Sequence, residues 1–202
     1  MEQQGVAMLS SGACLTANRP GIPCTACAEI CPERAIRVEE RKVHIDPAAC
    51  SGCGRCATVC PTGAVSLPAV PSSSLYECTR VRRLDAAASS VPCLGGLTAA
   101  TLRDALVSGD VTLIDRGWCT NCPVSGGQAA PWEDTLNAVN GEAETLGIAA
   151  RVRVRRDPSA SWRARAAPRG RSDNPARRAL FTRMAQAGQA VAPVDQLAGL
   201  SD

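Results

Sequence analysis

Cysteine is the residue whose spacing carries chemistry in this chain. It occurs 12 times in 202 residues, and Cys14, Cys24, Cys27, Cys31, Cys50, Cys53, Cys56 and Cys60 crowd the first third. Their order is Cys24-x2-Cys27-x3-Cys31-Pro32, then Cys50-x2-Cys53-x2-Cys56-x3-Cys60-Pro61. Thiolates at such spacing can wrap one face of a compact, soft metal centre. A disulfide framework is the competing use of so many thiols. The chain begins MEQQGVAMLS, without a basic or apolar leader, and has no apolar run of membrane-spanning length. A cytoplasmic address is expected from this; it keeps thiols reduced and favours metal ligation.

The two runs are copies of each other. Cys24, Cys27, Cys31, Pro32 and Ala35 recur as Cys53, Cys56, Cys60, Pro61 and Ala64, all at one offset. Proline after the last cysteine stops a helix and turns the chain outward. Gly52, Gly54 and Gly63 permit close backbone approach. The second copy is complete, but the first has Gly21 where its leading cysteine belongs. Two readings follow: Cys14 is a spare thiol, or it is the fourth ligand, reached through the loop from Leu15 to Pro23. A loop that short closes at small entropic cost. Zinc is the ordinary occupant of paired Cys-x2-Cys, whereas a doubled three-plus-one run closed by Cys-Pro points to iron–sulfur centres.

These residues resemble the two-cluster bacterial ferredoxins over about residues 12–68. The resemblance implies a two-fold β-α-β arrangement and two neighbouring [4Fe–4S] clusters. It also implies crossed ligation, one cluster taking Cys14, Cys24, Cys27 and Cys60, the other Cys50, Cys53, Cys56 and Cys31. The elements that position them are short. Ile36 to Val38 and Lys42 to Asp46 alternate apolar and polar residues, as strands do. His44, the only histidine, falls in the second of these on its solvated side, with no ligand or catalytic role.

Pro68 to Ser74 is a Pro/Ser stretch without periodicity and reads as a boundary. Beyond it, strands are expected over 75–78, 90–93, 111–115 and 150–154. Helices are expected from Thr98, as cap, to Val107 and from Trp132 to Leu146. That alternation predicts a small α/β layer with a parallel sheet. Cys78, Cys93, Cys119 and Cys122 fall where these strands end, the edge at which such units present ligands. The segment Val91-Pro-Cys93-Leu-Gly95-Gly96, a helix, then Val111 to Gly117 and Trp118-Cys119-x2-Cys122 resembles the iron–sulfur delta subunit of methyl-viologen-reducing hydrogenases, over about residues 75–126. The resemblance implies a [2Fe–2S] cluster and electron delivery to a heterodisulfide reductase. That family opens with a Cys pair where only Cys78 stands here. Four thiols suffice for a [2Fe–2S] or [4Fe–4S] centre. Buried apolar thiols, a zinc half-site or a redox dithiol are the other readings of these four.

Charge separates the last part of the chain. Residues 151–183 hold eleven Arg against Asp157 and Asp173, although the net charge of the whole is +3. Proline and glycine interrupt this arm, which is expected to be partly disordered, with one short helix from Asn174 to about Gln186. It offers a docking surface for an acidic partner, or a solvated basic tail. Only Trp162 and Phe181 accompany the arginines, too few aromatics for a nucleic-acid surface.

Aromatic residues make up only 2% of the chain, so its apolar core is built of small side chains. The expected class is α+β: a dicluster ferredoxin-like domain (1–68), a linker (69–74), a small α/β domain (75–156) and a basic arm (157–202). No nucleophile–base constellation or phosphate-binding glycine loop is present, which leaves one-electron traffic rather than catalysis. The expected function is an electron-relaying partner or subunit of a formate dehydrogenase, a hydrogenase or a heterodisulfide-type reductase. Its cofactors would be two [4Fe–4S] clusters and a further iron–sulfur centre, with no nucleic-acid partner and no membrane insertion. A maturation factor that hands on a cluster is the alternative.

Overall fold

The computed structural model describes residues 5–19, 21–80 and 85–158. The basic arm and its short helix therefore lie outside the described residues, apart from Asp157 and Pro158. Residues Met1–Ala164 cluster as one compact unit.

The first part runs β1 (Met8–Leu9), α1 (Leu15–Asn18), α2 (Ala26–Glu29), β2 (Ile36–Glu39), β3 (Lys42–Ile45), α3 (Arg55–Thr58) and β4 (Val65–Ser66). The β2–β3 pair is an antiparallel hairpin, with Ile36 opposite Ile45 and Glu39 opposite Lys42. Its two-residue turn places both Glu40 and Arg41 at positive φ, +45° and +66°, the geometry that matches strand twist. Arg41 meets that conformation with a tertiary contact: its guanidinium donates to the carbonyls of Thr16 and Ala17 in α1. His44 is exposed, as its place in the alternation predicts. β1 closes the ends of this part by pairing antiparallel with β4, Leu9 opposite Val65. Two residues are too few to show a period, so residue pattern alone does not predict this strand. The core between the hairpin and the short helices is small: Ala7, Cys27, Ile36, Cys56 and Val65.

The second part contributes β5 (Leu75–Cys78), β6 (Ser89–Val91), α4 (Ala99–Leu106), β7 (Val111–Asp115), α5 (Glu133–Thr145) and β8 (Val152–Arg156). The four strands form one sheet in the order β6-β5-β7-β8, every pairing parallel. Tyr76, Leu97, Leu102, Leu113, Val111 and Trp132 are buried at its centre. Thr98 caps α4 by accepting from the Thr101 N–H. At the exit of α5, Gly147 takes φ +69°, and the N–H groups of Ile148 and Gly147 donate back to Ala143 and Glu144. That is the Schellman arrangement.

Two strand boundaries differ from expectation. β6 ends at Val91 because Pro92 has no N–H for the ladder. β8 begins at Val152 rather than Ala150: the Arg151 N–H is taken by the Asp110 carboxylate, and the Asn140 side chain on α5 both donates to and accepts from the Val152 backbone. The Pro/Ser stretch before β5 is laid against the sheet. The buried Tyr76 hydroxyl accepts from the Ser73 N–H and donates to the Pro71 carbonyl. A buried carboxylate, Glu77, is fully enclosed and held by Arg116 and by the Asp85 N–H.

Truncating the fully buried Leu102 to alanine should cost about 2–5 kcal/mol. It would be read as a lower urea midpoint with unchanged slope in anaerobically prepared protein.

Candidate metal centres

Three cavities are each lined by four cysteines. Cys14, Cys24, Cys27 and Cys60 share the first, with Leu9, Pro61 and Val65. Cys31, Cys50, Cys53 and Cys56 share the second, with Ile36, Gly54 and Leu67. Cys78, Cys93, Cys119 and Cys122 share the third, with Arg80, Arg116, Trp118 and Ser125. Their cavity volumes are small, about 20, 10 and 30 Å³ respectively. The third is thus no smaller than the two whose cysteines follow the ferredoxin spacing. Among the described residues no three His, Cys, Asp or Glu side chains converge as a single-ion site. In each cavity the four thiols line one shared space.

Cys14 reaches the first cavity through local structure that residue spacing does not reveal. It stands at the N-terminal cap of α1, and two residues later the Thr16 hydroxyl clamps the Cys24 peptide. It accepts from the Cys24 N–H at 2.9 Å and donates to the Cys24 carbonyl at 2.8 Å. Thr16 is buried, so this two-way bond lies out of competition with water. The loop after Cys14 therefore folds back and brings Cys14 and Cys24 to one wall. Cys14 thus lines the same cavity as Cys24, Cys27 and Cys60. No pattern in the sequence marks Thr16.

Backbone amides face several of the sulfurs. Cys31 accepts from the Ala35 N–H at 3.3 Å, and Cys78 from the Arg80 N–H at 3.4 Å. Against a desolvation that pushes it up, the Cys60 thiol is drawn below its usual value by the Thr62, Val65 and Ala64 amides and the Thr62 hydroxyl. Such N–H bonds favour thiolate and tune a bound cluster. The more enclosed thiols go the other way. Burial, then the neighbouring thiols of Cys53, Cys50, Cys31 and Cys27, push Cys56 up to about 12. Burial with Cys78 does the same to Cys93, and burial with Cys93 and Asp115 to Cys119, each to about 12; Cys78 is pushed up to about 11. A metal centre bound by such thiols would displace their protons, so its affinity would rise with pH.

Two buried donors test whether the walls suit a sulfur-rich group. The buried Ser51 hydroxyl on the second cavity is directed at the Cys53 thiol, and the buried Arg80 Nε on the third has no hydrogen-bond partner among the described residues. Both are donors beside a space lined by thiols, which suits a group with accepting sulfides. The third site is also braced from behind. The single Ser125 hydroxyl proton is shared between the carbonyls of Cys119 and Cys122, and Arg116 bridges Glu77 and Asp157. None of these bracing residues stands out in the sequence; only their burial reveals them.

A family profile for the 4Fe-4S dicluster domain matches residues 22–64. One subunit of the ion-translocating oxidoreductase complex of Methanosarcina acetivorans is 44% identical over 46 residues, 23% of this chain and 17% of that protein. The Ferredoxin 7Fe of Hydrogenibacillus schlegelii is 42% identical over 40 residues, 20% of this chain and 51% of that one. An uncharacterized ferredoxin of Methanocaldococcus jannaschii is 42% identical over 48 residues, 23% of this chain and 77% of the relative. The chain thus spans about half or less of the first two. No solved structure matches significantly. The cofactors of the matched domain are two 4Fe-4S clusters. The third quartet lies beyond it.

Replacing Cys14 with alanine should disturb the group at Cys24, Cys27 and Cys60 alone. Iron should fall by up to about four atoms per chain while the other cluster's reduced electron paramagnetic resonance (EPR) signal persists. Unchanged iron and spectra would make Cys14 a bystander.

Proposed function

Given that the chain belongs to the ferredoxins with two 4Fe-4S clusters, through residues 22–64, we propose that it relays electrons as a partner or subunit of an anaerobic-type oxidoreductase. In this reading Cys14, Cys24, Cys27 and Cys60 hold one cluster, and Cys31, Cys50, Cys53 and Cys56 the other. Cys78, Cys93, Cys119 and Cys122 hold a third iron–sulfur centre in a module like the delta subunit of methyl-viologen-reducing hydrogenases. The observation that carries the proposal is the grouping of the twelve thiols into three separate cavities of one compact unit.

The chemistry supplied by such groups is one-electron transfer, and the chain's own residues hold, insulate and tune them. The amides at Cys31, Cys60 and Cys78 compensate added negative charge. Cys27, Cys56, Cys93 and Cys122 are buried, which favours retention of a cluster over its transfer to an apo-enzyme. That is the point on which a carrier and a maturation factor differ. The related protein from an ion-translocating oxidoreductase complex supports a place within a larger electron-transfer assembly. A formate dehydrogenase, a hydrogenase or a heterodisulfide-type reductase fits the same chemistry. Among the described residues no helix is long and apolar enough to cross a membrane.

The basic arm supplies the docking element of this proposal. Arg153, Arg155 and Arg156 are already paired with Asp110, Asp85 and Asp115. The charge available to a partner therefore comes from Arg163 onward, where seven arginines stand against Asp173 up to residue 183. A cationic segment of that kind speeds encounter with an acidic partner, and salt screens it.

Anaerobically purified protein should contain about 10 iron atoms per chain with a [2Fe–2S] third centre, or about 12 with a third cubane. About 8 would remove the third centre. Deleting residues 159–202 should leave iron content intact and leave reduction by a small dye unchanged. It should slow electron exchange with the physiological partner, and the slowing should vanish at high salt; an equal rate at low salt would discard the docking role.

A further inference from the structure

The second and third thiol quartets meet along a single seam. Cys53 packs against the buried group formed by Cys93, Cys122 and Val124. Beside it the two backbones touch: a Cβ on Gly96 would lie 1.9 Å from the Cys53 carbonyl oxygen, and one on Gly54 would lie 2.9 Å from the Gly96 oxygen. No other residue type fits either position without moving the main chain. The next residue, Arg55, sits inside the Cys53-x2-Cys56 loop and is 4% exposed. Its guanidinium crosses the seam and donates to the carbonyls of Val124 and Ser125 and to the Gln128 side chain. Gly126, at φ +63°, leaves the room: a Cβ there would stand 2.9 Å from Arg55 Nη1. Ser125 in turn holds the carbonyls of Cys119 and Cys122.

The partners of Arg55 are neutral. They satisfy its donors, but among the described residues no carboxylate pairs with it. A buried cation left uncompensated by its own fold is expensive. Here it runs from between two thiols of one quartet, Cys53 and Cys56, to the carbonyls two and three residues after Cys122 of the other; thiols that ligate a cluster are anionic, and each added electron increases that negative charge.

We infer that this seam is the electron junction between the second and third centres, with Cys53 against Cys93 as the crossing and Arg55 as its positioning residue and shared counter-charge. The inference rests on the third quartet holding a cluster, as proposed above. In each transfer one centre loses one electron and the other gains it; no bond forms or breaks and no proton moves. The order of the relay follows: the Cys14 site at one end, the Cys31–Cys56 site in the middle, and the Cys78–Cys122 site at the other end.

The test uses the full chain purified anaerobically, titrated with dithionite and followed by EPR, with iron and acid-labile sulfide counted on each sample. In the wild type, reducing the third centre should broaden or speed the relaxation of the middle cluster's signal. Arg55→Met should lower the midpoint potentials of the middle and third centres and leave that of the Cys14 site unchanged. Arg55→Lys, which keeps the charge, should bring them back towards the wild type. Potentials that do not move in an Arg55→Met protein with full iron content would overturn the role of Arg55. Should that variant lose iron, the wild-type spectra decide: a third centre whose reduction leaves the middle signal untouched overturns the junction. A wild type with about 8 iron atoms and no third signal overturns the third centre itself, and is told apart by the count.

Discussion

Thiols occupy the places where a larger protein keeps its bulky apolar side chains. Cys27 and Cys56 lie in the same small core as Ala7, Ile36 and Val65, and Cys93 and Cys122 form another buried group with Val124. Helices of four residues cannot bury enough area to hold such a structure by packing alone. Ligation energy is then folding energy, and the burial that raises the thiols of Cys56, Cys93 and Cys119 is the same burial that would shield a bound centre. The remaining architecture sets the twelve thiols four to a cavity around three spaces.

The second part solves that problem differently from the first. A parallel sheet with its own apolar core, Leu102, Leu113 and Trp132 among it, ends in loops at one edge, and the cysteines come from three successive strand exits. The sheet can therefore be rigid independently of what the loops hold. Glu77, fully buried at the end of β5, and Arg116 beside it fix those exits to one another and to Asp157. Breaking one partner of such a pair leaves a charge without compensation, so the network acts as a frame rather than a source of net stability.

The two parts are joined at main-chain distance. Glycine at 54 and 96 lets the ligand loop of one site lie on the turn that follows Cys93 in the other, and Arg55 locks the contact. A larger residue at either glycine would widen the gap between the thiol groups. In the proposed relay, that close backbone approach shortens the step between the second and third centres.

Much of this is legible in the chain itself. The doubled cysteine run, the β2–β3 hairpin, the parallel sheet, the Thr98 cap and the grouping of cysteines at strand ends are local patterns, set by spacing, period and capping chemistry that act over a few residues. Such patterns name the thiols but not their company. Whether Cys14 joins Cys24 depends on Thr16 gripping a peptide eight residues away, and the two-residue strand at Met8 depends on a partner at Val65. Arg55 reads in sequence as an ordinary helix residue; its burial and its reach to Val124 and Ser125, some seventy residues on, exist only once both parts are folded. Local chemistry follows from the order of residues, while long-range contacts are chosen by which surfaces the finished fold presses together, and that choice leaves no mark on neighbouring positions in the chain.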